Sequence, residues 1–248
     1  MINPTPTVCC FAHGHEYPPF HILDKKWDDL FNDNVVDNFM SSAHFLNDLP
    51  DHIYSDHTVP AFTAFETPWQ HLDPDYYGDE GLGFWIVPQT GNYYFWCASD
   101  NGSKVFMAPD AVPAHQVLIC QELYWTGYRE WEYNGGGLPN NSLGNDYPNG
   151  IPLTKGQLVY LQVDHVNGIV KGFFFTDPLL DHWAVTYKVN DSTTPTNGTP
   201  SALTVDQFQP RRLAARLKRT IFHEILKNRI SELVTRVTSI RLNRSHAQ

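Results

Sequence analysis

A period-two alternation of apolar and polar side chains constrains the fold of this chain more than any other sequence feature. It is clearest over residues 158–166, where Val159, Leu161 and Val163 alternate with polar neighbours, and over residues 183–189. Alternation of this kind is typical of a β-strand with one face buried and the other toward water. Shorter apolar segments predict further strands at residues 83–87, 93–98, 104–108, 117–120 and 173–175.

Turn-forming residues separate these segments, and no helical periodicity lies between them. The turns are Pro-Gln-Thr-Gly-Asn at residues 88–92, Asp-Asn-Gly at 100–102 and Asn-Gly at 149–150. Many short strands joined by Gly, Asn and Pro indicate antiparallel pairing. The sequence therefore predicts an all-β domain, an antiparallel β-sandwich or barrel, over residues 45–190.

The flanking segments have a different character. Residues 1–44 place Leu23, Trp27, Leu30 and Phe31 at helical spacing among Asp and Asn, which are poor helix formers, so we expect an irregular leader. Residues 191–210 are rich in Ser, Thr, Pro and Gly and are typical of a linker. Apolar residues then recur at alternating spacings of four and three, which predicts an amphipathic basic helix over residues 211–243.

Charge is distributed unevenly along the chain. The formal net charge is −10, but residues 211–244 hold ten Lys/Arg and two acids, leaving 7 bases and 25 acids elsewhere. An acidic body does not attract nucleic acid and suits hard cations or neutral ligands. For the basic helix, docking on the acidic domain, coiled-coil association and binding to an anionic membrane remain alternatives.

Composition and cysteine spacing narrow the class of protein further. A hydrophobic fraction of 42% and an aromatic fraction of 14% exclude a disordered chain, and no apolar run is long enough to cross a bilayer. The first twelve residues do not resemble a signal peptide, so the chain is cytosolic or cut from something longer. Cys97 and Cys120 each end an apolar run; they are either small buried hydrophobes or a disulfide between neighbouring strands.

An ordered set of short motifs resembles the PA14 domain, of the fibrocystin/polyductin-like or bacterial surface-protein type. The motifs are Phe65-Glu66-Thr67-Pro68, Tyr77-Gly78, the stretch GFWIVPQTGNYYFW at 83–96, Ala98-Ser99-Asp100-Asn101, Arg129-Glu130-Trp131, and IPLTKG at 151–156 leading into Tyr160 and His165. The resemblance covers residues 45–190. It implies a β-sandwich module that recognises glycans and is found in adhesins, in toxins and as an appendage of glycosidases.

The resemblance also implies a calcium site. In the lectin branch of the family, two consecutive acids joined by a cis peptide hold a calcium ion (Ca²⁺), which binds sugar hydroxyls. The matching pair here is Asp100-Asn101, in which Asn replaces the second acid, and the late-loop ligand corresponds to Asn167. Calcium accepts six to eight oxygen ligands in flexible geometry, so an amide carbonyl can still serve.

Two observations favour a simpler interpretation of these residues. Asp100-Asn101-Gly102 is also a good hairpin turn on its own. Asn101-Gly102-Ser103 is in addition an N-glycosylation acceptor triplet, and a glycan there would block the site. Calcium lectin and plain turn therefore stay alternatives.

Aromatic side chains supply the flat apolar faces against which sugar rings stack. Trp125, Tyr128 and Trp131 lie in a polar, Gly-flanked loop and are the candidate carbohydrate-binding residues; the alternative is that they cap the end of the barrel.

The expected function is a non-catalytic carbohydrate-binding module with glycans, and further surface proteins, as partners. No nucleophile, phosphate-loop or dinucleotide motif appears, so we do not expect an enzyme. The alternatives are a structural or adhesion module without a sugar site and the appendage of a secreted glycosidase. Five Asn-x-Ser/Thr triplets, beginning at Asn101, Asn140, Asn190, Asn197 and Asn243, favour an extracellular or cell-surface location.

Overall fold

The structure is a computed structural model that describes residues 21–28, 35–56, 61–67, 77–123, 125–131, 147, 149–168 and 182–210. The chain divides into two units, Met1–Gln209 and Pro210–Gln248. The helix predicted for residues 211–243 and the strand predicted at 173–175 lie outside the described residues.

Nine strands in the described residues form two antiparallel sheets. They are β1 (Ile22–Trp27), β2 (His52–Ser55), β3 (Tyr77–Ile86), β4 (Gly91–Asp100), β5 (Ser103–Ala108), β6 (Val117–Glu122), β7 (Ile151–Leu153), β8 (Leu158–Asn167) and β9 (His182–Val189). The larger sheet has the order β2-β1-β3-β8-β5-β6, and the smaller has the order β7-β4-β9. The predicted all-β antiparallel sandwich is confirmed.

Short helical segments connect some of the strands. Helix α1 (Val36–Ser41) and helix α2 (Ala43–Leu46) lie between β1 and β2, and 3₁₀ turns cover Pro113–His115 and Val205–Gln207. The α1–α2 pair packs through Phe39 and Phe45 against Trp27 of β1, with ring centroids 5.5 and 5.4 Å from the indole. These contacts cover the outer face of the larger sheet near the end of β8, where Val166 joins the same apolar cluster.

The main core lies between the two sheets and is rich in aromatic rings. The alternating residues predicted to face inward do so: Val159, Leu161 and Val163 of β8 are buried there with Trp183 and Val185 of β9. Burial of these large side chains is the main source of stability for such a sandwich.

Strand β1 departs from the irregular leader expected for residues 1–44. It pairs with β2 on one side and with β3 on the other, and all six of its residues are buried. It contains three charged residues, Asp24, Lys25 and Lys26, and for this reason the sequence pattern does not indicate a strand. Lys25 Nζ lies 2.8 Å from Glu80 and 2.7 Å from Asp48, so its charge is paired within the protein. The β domain therefore begins near Ile22 rather than at residue 45.

The segment 191–210 also differs from the linker expected there. Leu203 and Phe208 are buried in the main core. Thr204 forms an isolated β-bridge with Ala64, and Phe208 forms one with Trp85. Two buried apolar side chains, together with hydrogen bonds from Ser201 and Ala202 to β9, anchor a stretch that is otherwise Ser-, Thr- and Pro-rich.

Candidate functional site

One end of the sandwich brings together two segments that are distant in sequence. Strand β4 ends at Asp100, and the β4–β5 turn continues through Asn101 and Gly102. Strand β8 ends at Asn167 at the same end of the sandwich. The Asn101 amide donates to the Val166 carbonyl over 2.9 Å, and the Val166 amide donates to the Gly102 carbonyl over 3.1 Å.

A side-chain contact closes this junction. The Gly168 amide donates to Oδ1 of Asn101 over 2.6 Å. Asn101 and Asn167 are each only 7% exposed, and Asp100 is half-buried. The peptide bond between Asp100 and Asn101 is cis. The two predicted ligand segments, residues 100–102 and 166–168, therefore meet at one end of the sandwich, which we call the Asp100 rim. The Asn101 and Asn167 side chains there are mostly enclosed.

A histidine lies beneath the rim and holds the Asp100 backbone. His165 is fully buried; its Nε2 donates to the Asp100 carbonyl over 2.8 Å, and its Nδ1 lies 2.9 Å from Oδ1 of Asp79. Because a carbonyl oxygen can only accept, Nε2 carries a proton. Burial alone would lower the pKa of His165, but its contacts with Asp79 and Asp100 together raise it.

Of the three candidate aromatic residues, Trp125 lies closest to the rim and is open to solvent. It forms an isolated β-bridge with Asp100, and 44% of its surface is exposed. The next residue fixes this segment, since Thr126 donates its amide to the Ser99 carbonyl over 2.7 Å and its Oγ1 accepts from the Ser99 amide over 2.9 Å. An exposed indole next to a carboxylate-bearing turn is a suitable platform for a sugar ring.

Tyr128 occupies a neighbouring position on the other side of the turn. Its ring meets His182 edge-on at 5.4 Å, and His182 is the β9 partner of Asp100. The guanidinium of Arg129 lies 4.8 Å from the Tyr128 ring centroid and forms a bidentate ion pair with the Glu66 carboxylate. The loop that holds Trp125 and Tyr128 is thus anchored to the sandwich.

Trp131 is not part of this surface. Its side chain is completely buried, its Nε1 donates to the Thr199 carbonyl over 3.0 Å, and its ring packs in a small apolar cluster with Trp96. The prediction that Trp131 binds carbohydrate is wrong, because neither its ring face nor its N–H is available to a ligand. The alternative, that it caps the end of the barrel, does not describe it either, because Trp131 packs against Trp96 and Ala98 on the face of the smaller sheet that points away from the main core.

The donor set at the rim matches a hard cation in chemical type. Asp100 offers a carboxylate, and Asn101 and Asn167 offer amide carbonyls, all of which are oxygen ligands of the kind that calcium takes. Within the part of the chain that the structure describes, no three His, Cys, Asp or Glu side chains are placed to hold a metal ion. An ion at this rim would therefore depend on Asn and backbone oxygens in addition to Asp100.

Glycosylation of Asn101 does not fit this geometry. The side chain is mostly enclosed, and its Oδ1 is bonded to the Gly168 amide. A glycan is bulky and requires an exposed acceptor. The triplet at Asn101 therefore has no accessible side chain in the folded protein.

Sequence reasoning missed the supporting groups Asp79 and His182. Asp79 faces His165 across the β3–β8 pairing, and His182 faces Asp100 across the β4–β9 pairing. Only the strand registers reveal these partners. The one available signal was the position of His165 at the end of an alternating strand.

No helix in the described ranges is long and apolar enough to span a membrane. Neither a family model nor a curated protein sequence matches the chain.

Solved structures do show similarity in fold. The PA14 domain of the antifreeze protein MpAFP has a TM-score of 0.43 and 12% identity, over 79% of this chain and 95% of that chain. The A domain of epithelial adhesin 6 from Candida glabrata, solved with Galb1-3GlcNAc, has a TM-score of 0.42 and 10% identity, over 79% of this chain and 88% of that chain. A beta-glucosidase from Kluyveromyces marxianus, solved with glucose, has a TM-score of 0.36 and 13% identity, over 69% of this chain and 16% of that chain. The structures to which this chain is similar thus include a PA14 domain, the family that its sequence motifs resemble.

Proposed function

We propose that the β domain is a non-catalytic carbohydrate-binding module of an extracellular or cell-surface protein, and that it binds glycans at the Asp100 rim. The observation that carries the proposal is the juxtaposition of an exposed indole with oxygen-bearing turns. Trp125 bridges to Asp100, and the turn after Asp100 is bonded to the end of β8. A sugar site needs such a combination of a flat apolar face and a few fixed polar groups.

Each residue at the rim has a separate role in the proposed binding of a sugar. Trp125 offers its ring face to the C–H groups of a sugar, and the Asp100 carboxylate accepts hydrogen bonds from hydroxyls or holds a cation. His165 fixes the Asp100 carbonyl from below, so that the carboxylate-bearing residue is positioned before a ligand arrives. Rigid positioning of this kind lowers the entropic cost of binding.

We further propose that Asp100, Asn101 and Asn167 hold calcium. When bound, calcium would accept two sugar hydroxyls in place of water molecules. The single carboxylate of this donor set predicts weaker calcium binding than a pair of acids would give.

A structural or adhesion module without a sugar site is the competing function. It is favoured by the enclosure of Asn101, whose Oδ1 already accepts a hydrogen bond from the Gly168 amide. This bond connects the β4–β5 turn to the residue that follows β8. In this interpretation the same residues stabilise the end of the sandwich and contact no ligand.

A glycan array probed with the purified full chain, in calcium and in a chelator, separates the two functions. We expect binding in calcium that falls at least about tenfold with chelator or with Asp100→Asn, since loss of a charged ligand costs about 1.5–3 kcal/mol. Trp125→Ala is expected to weaken binding about tenfold, as the loss of a stacked ring does.

Matched control variants test whether these effects are local. Asp110→Asn removes an exposed carboxylate from the β5–β6 turn, and Leu123→Ala truncates an apolar side chain that is 48% exposed close to Trp125. Both controls should bind like the unmodified chain. Glycan binding that is indifferent to chelator and to Asp100→Asn would exclude the cation, and an array without any bound glycan would leave the structural module.

A further inference from the structure

The two cysteines of the β domain lie in the main core, on strands of different sheets. Cys97 belongs to β4 of the smaller sheet, and Cys120 belongs to β6 of the larger sheet. Both are reduced in the structure, and both are buried in the same apolar cluster. Neither contributes to the rim at Asp100, so the proposed sugar site does not account for them.

The strand registers place these two thiols next to each other. Ser99 of β4 donates its hydroxyl to Ser103 of β5 over 2.8 Å, which fixes the two strands against each other. Cys97 lies two residues before Ser99 on β4, and Val105 lies two residues after Ser103 on β5. Both residues are therefore the same number of positions away from the β4–β5 turn as each other, measured from this serine pair. Cys120 is the β6 partner of Val105. The Cys97 and Cys120 side chains are accordingly neighbours in the main core.

We propose that Cys97 and Cys120 are a cross-linking site, and that they form a disulfide between the two sheets when the chain folds in an oxidising compartment. The oxidant is a small-molecule disulfide such as oxidised glutathione. One cysteine thiolate attacks a sulfur of the oxidant, forms a mixed disulfide and releases one thiol. The second cysteine then attacks the protein sulfur of that mixed disulfide and releases the second thiol. Two protein thiols are oxidised, and one disulfide of the oxidant is reduced to two thiols.

Burial determines when this reaction can take place. In the folded protein both thiols are closed off from solvent, and burial raises the pKa of the Cys120 thiol, so that little thiolate is present. Exchange requires both a thiolate and access to the oxidant. The bond therefore forms before the two sheets close on each other, and the folded reduced protein reacts slowly.

The test is oxidative refolding of the full chain. A Cys9→Ser/Cys10→Ser background leaves Cys97 and Cys120 as the only thiols. The reduced protein is unfolded in guanidinium chloride, refolded with reduced and oxidised glutathione, and alkylated under denaturing, non-reducing conditions. Trypsin cleaves after Lys104, between the two cysteines, so only a disulfide keeps their peptides together in mass spectrometry.

We expect the linked peptide pair after refolding, and at least about tenfold slower linkage when the same oxidant meets the folded, reduced protein. The oxidised chain should have an unfolding equilibrium constant lower by on the order of a hundredfold than the same chain with reductant, because a cross-link restricts the unfolded state. This comparison needs no substitution in the core. Cys120→Ala is the control in which reductant should have no effect.

Either of two results would overturn the proposal. One is alkylation or glutathionylation of both cysteines after oxidative refolding. The other is a linked chain that is no more stable than the reduced chain, since such a bond would not fit the native packing. Glycan binding is a separate readout, because neither cysteine lies at the rim.

Discussion

The close contact between β3 and β9 makes Gly81 a sensitive position in the core. A Cβ atom at Gly81 would lie 2.4 and 2.6 Å from Cζ2 and Cη2 of Trp183, and 2.8 Å from Cγ1 of Val163. Trp183 cannot easily move away, because its ring packs against Phe62 at 6.2 Å and against Phe65 at 5.1 Å. We therefore predict that Gly81→Ala strongly destabilises the domain.

The magnitude follows from the two neighbours. Overpacking a well-filled core typically costs about 1–3 kcal/mol, and two rigid neighbours place Gly81→Ala at the upper end, about 3 kcal/mol. Gly156→Ala is the matched control. Its φ of +81° places it in the left-handed region, but nothing lies within 4 Å of the added Cβ. The control should therefore cost only the backbone strain, about 1–2 kcal/mol.

Guanidinium unfolding of the full chain and a double-mutant cycle test this reasoning. Trp183→Phe removes the two indole atoms that the new Cβ would meet and leaves the Val163 contact in place. In that background Gly81→Ala should cost about 1–2 kcal/mol less than in the original chain, a coupling typical of residues in contact. Additive effects of the two substitutions, or a cost of Gly81→Ala no greater than that of Gly156→Ala, would contradict the predicted clash with Trp183.

Two further predictions concern buried charges. Glu66→Gln removes the charge that the Arg129 guanidinium contacts through two hydrogen bonds, and should lower the free energy of unfolding by about 2 kcal/mol. Guanidinium unfolding measures this difference. A variant that is as stable as the unmodified chain, at both high and low salt, would contradict the prediction. Burial raises the pKa of Asp164, so its contribution to stability is fully present below the unfolded pKa of about 4 and is lost as the pH rises toward the folded pKa. Asp164→Asn still accepts from Gln162 and does not titrate, so its stability relative to the unmodified chain should increase between pH 4 and pH 8 in thermal unfolding. A difference that stays flat over this range would show that Asp164 is not protonated by burial.

Strands with one apolar face could be predicted closely from the sequence. Residues 158–166 and 183–189 were expected as strands and correspond to β8 and β9. Their alternation is a local property, so each strand is visible without its neighbours. The meeting of Asn101 with the end of β8 was implied by the family resemblance, and the hydrogen bond from Gly168 shows it. Whether an ion binds there stays a prediction.

Strand β1 could not be predicted in the same way, because three consecutive charged residues, Asp24, Lys25 and Lys26, interrupt its apolar pattern. Its charged residues follow no apolar alternation, and only the assembled sheet supplies their partners. Lys25 is neutralised by Asp48 of the segment after α2 and by Glu80 of β3. A buried lysine is acceptable only when it is paired, so the strand depends on contacts that a local pattern cannot contain.

The aromatic loop shows a second limit of local patterns. Trp125 and Trp131 lie in the same polar stretch, yet Trp125 is largely open to solvent and Trp131 is enclosed. The difference arises from Thr199, which accepts the Trp131 N–H from a segment far away in the chain. A loop tryptophan can be buried when its indole N–H has a hydrogen-bond partner inside the protein, and that partner is not visible in the local sequence.

The rim end of the sandwich is polar for a physical reason that also bears on binding. The carbonyl of Asp100 needs a donor at the point where β4 turns, and an apolar core would leave it unsatisfied at a cost of about 1–3 kcal/mol. His165 supplies that donor, and Asp79 contacts its other ring nitrogen, so a buried polar pair takes the place of hydrophobic packing. Such a pair adds little net stability compared with well-packed apolar groups. Its effect is to fix the backbone oxygen of Asp100 at the edge of the core. The backbone at the proposed ligand site is therefore held by a polar contact, while the main aromatic core lies elsewhere in the sandwich.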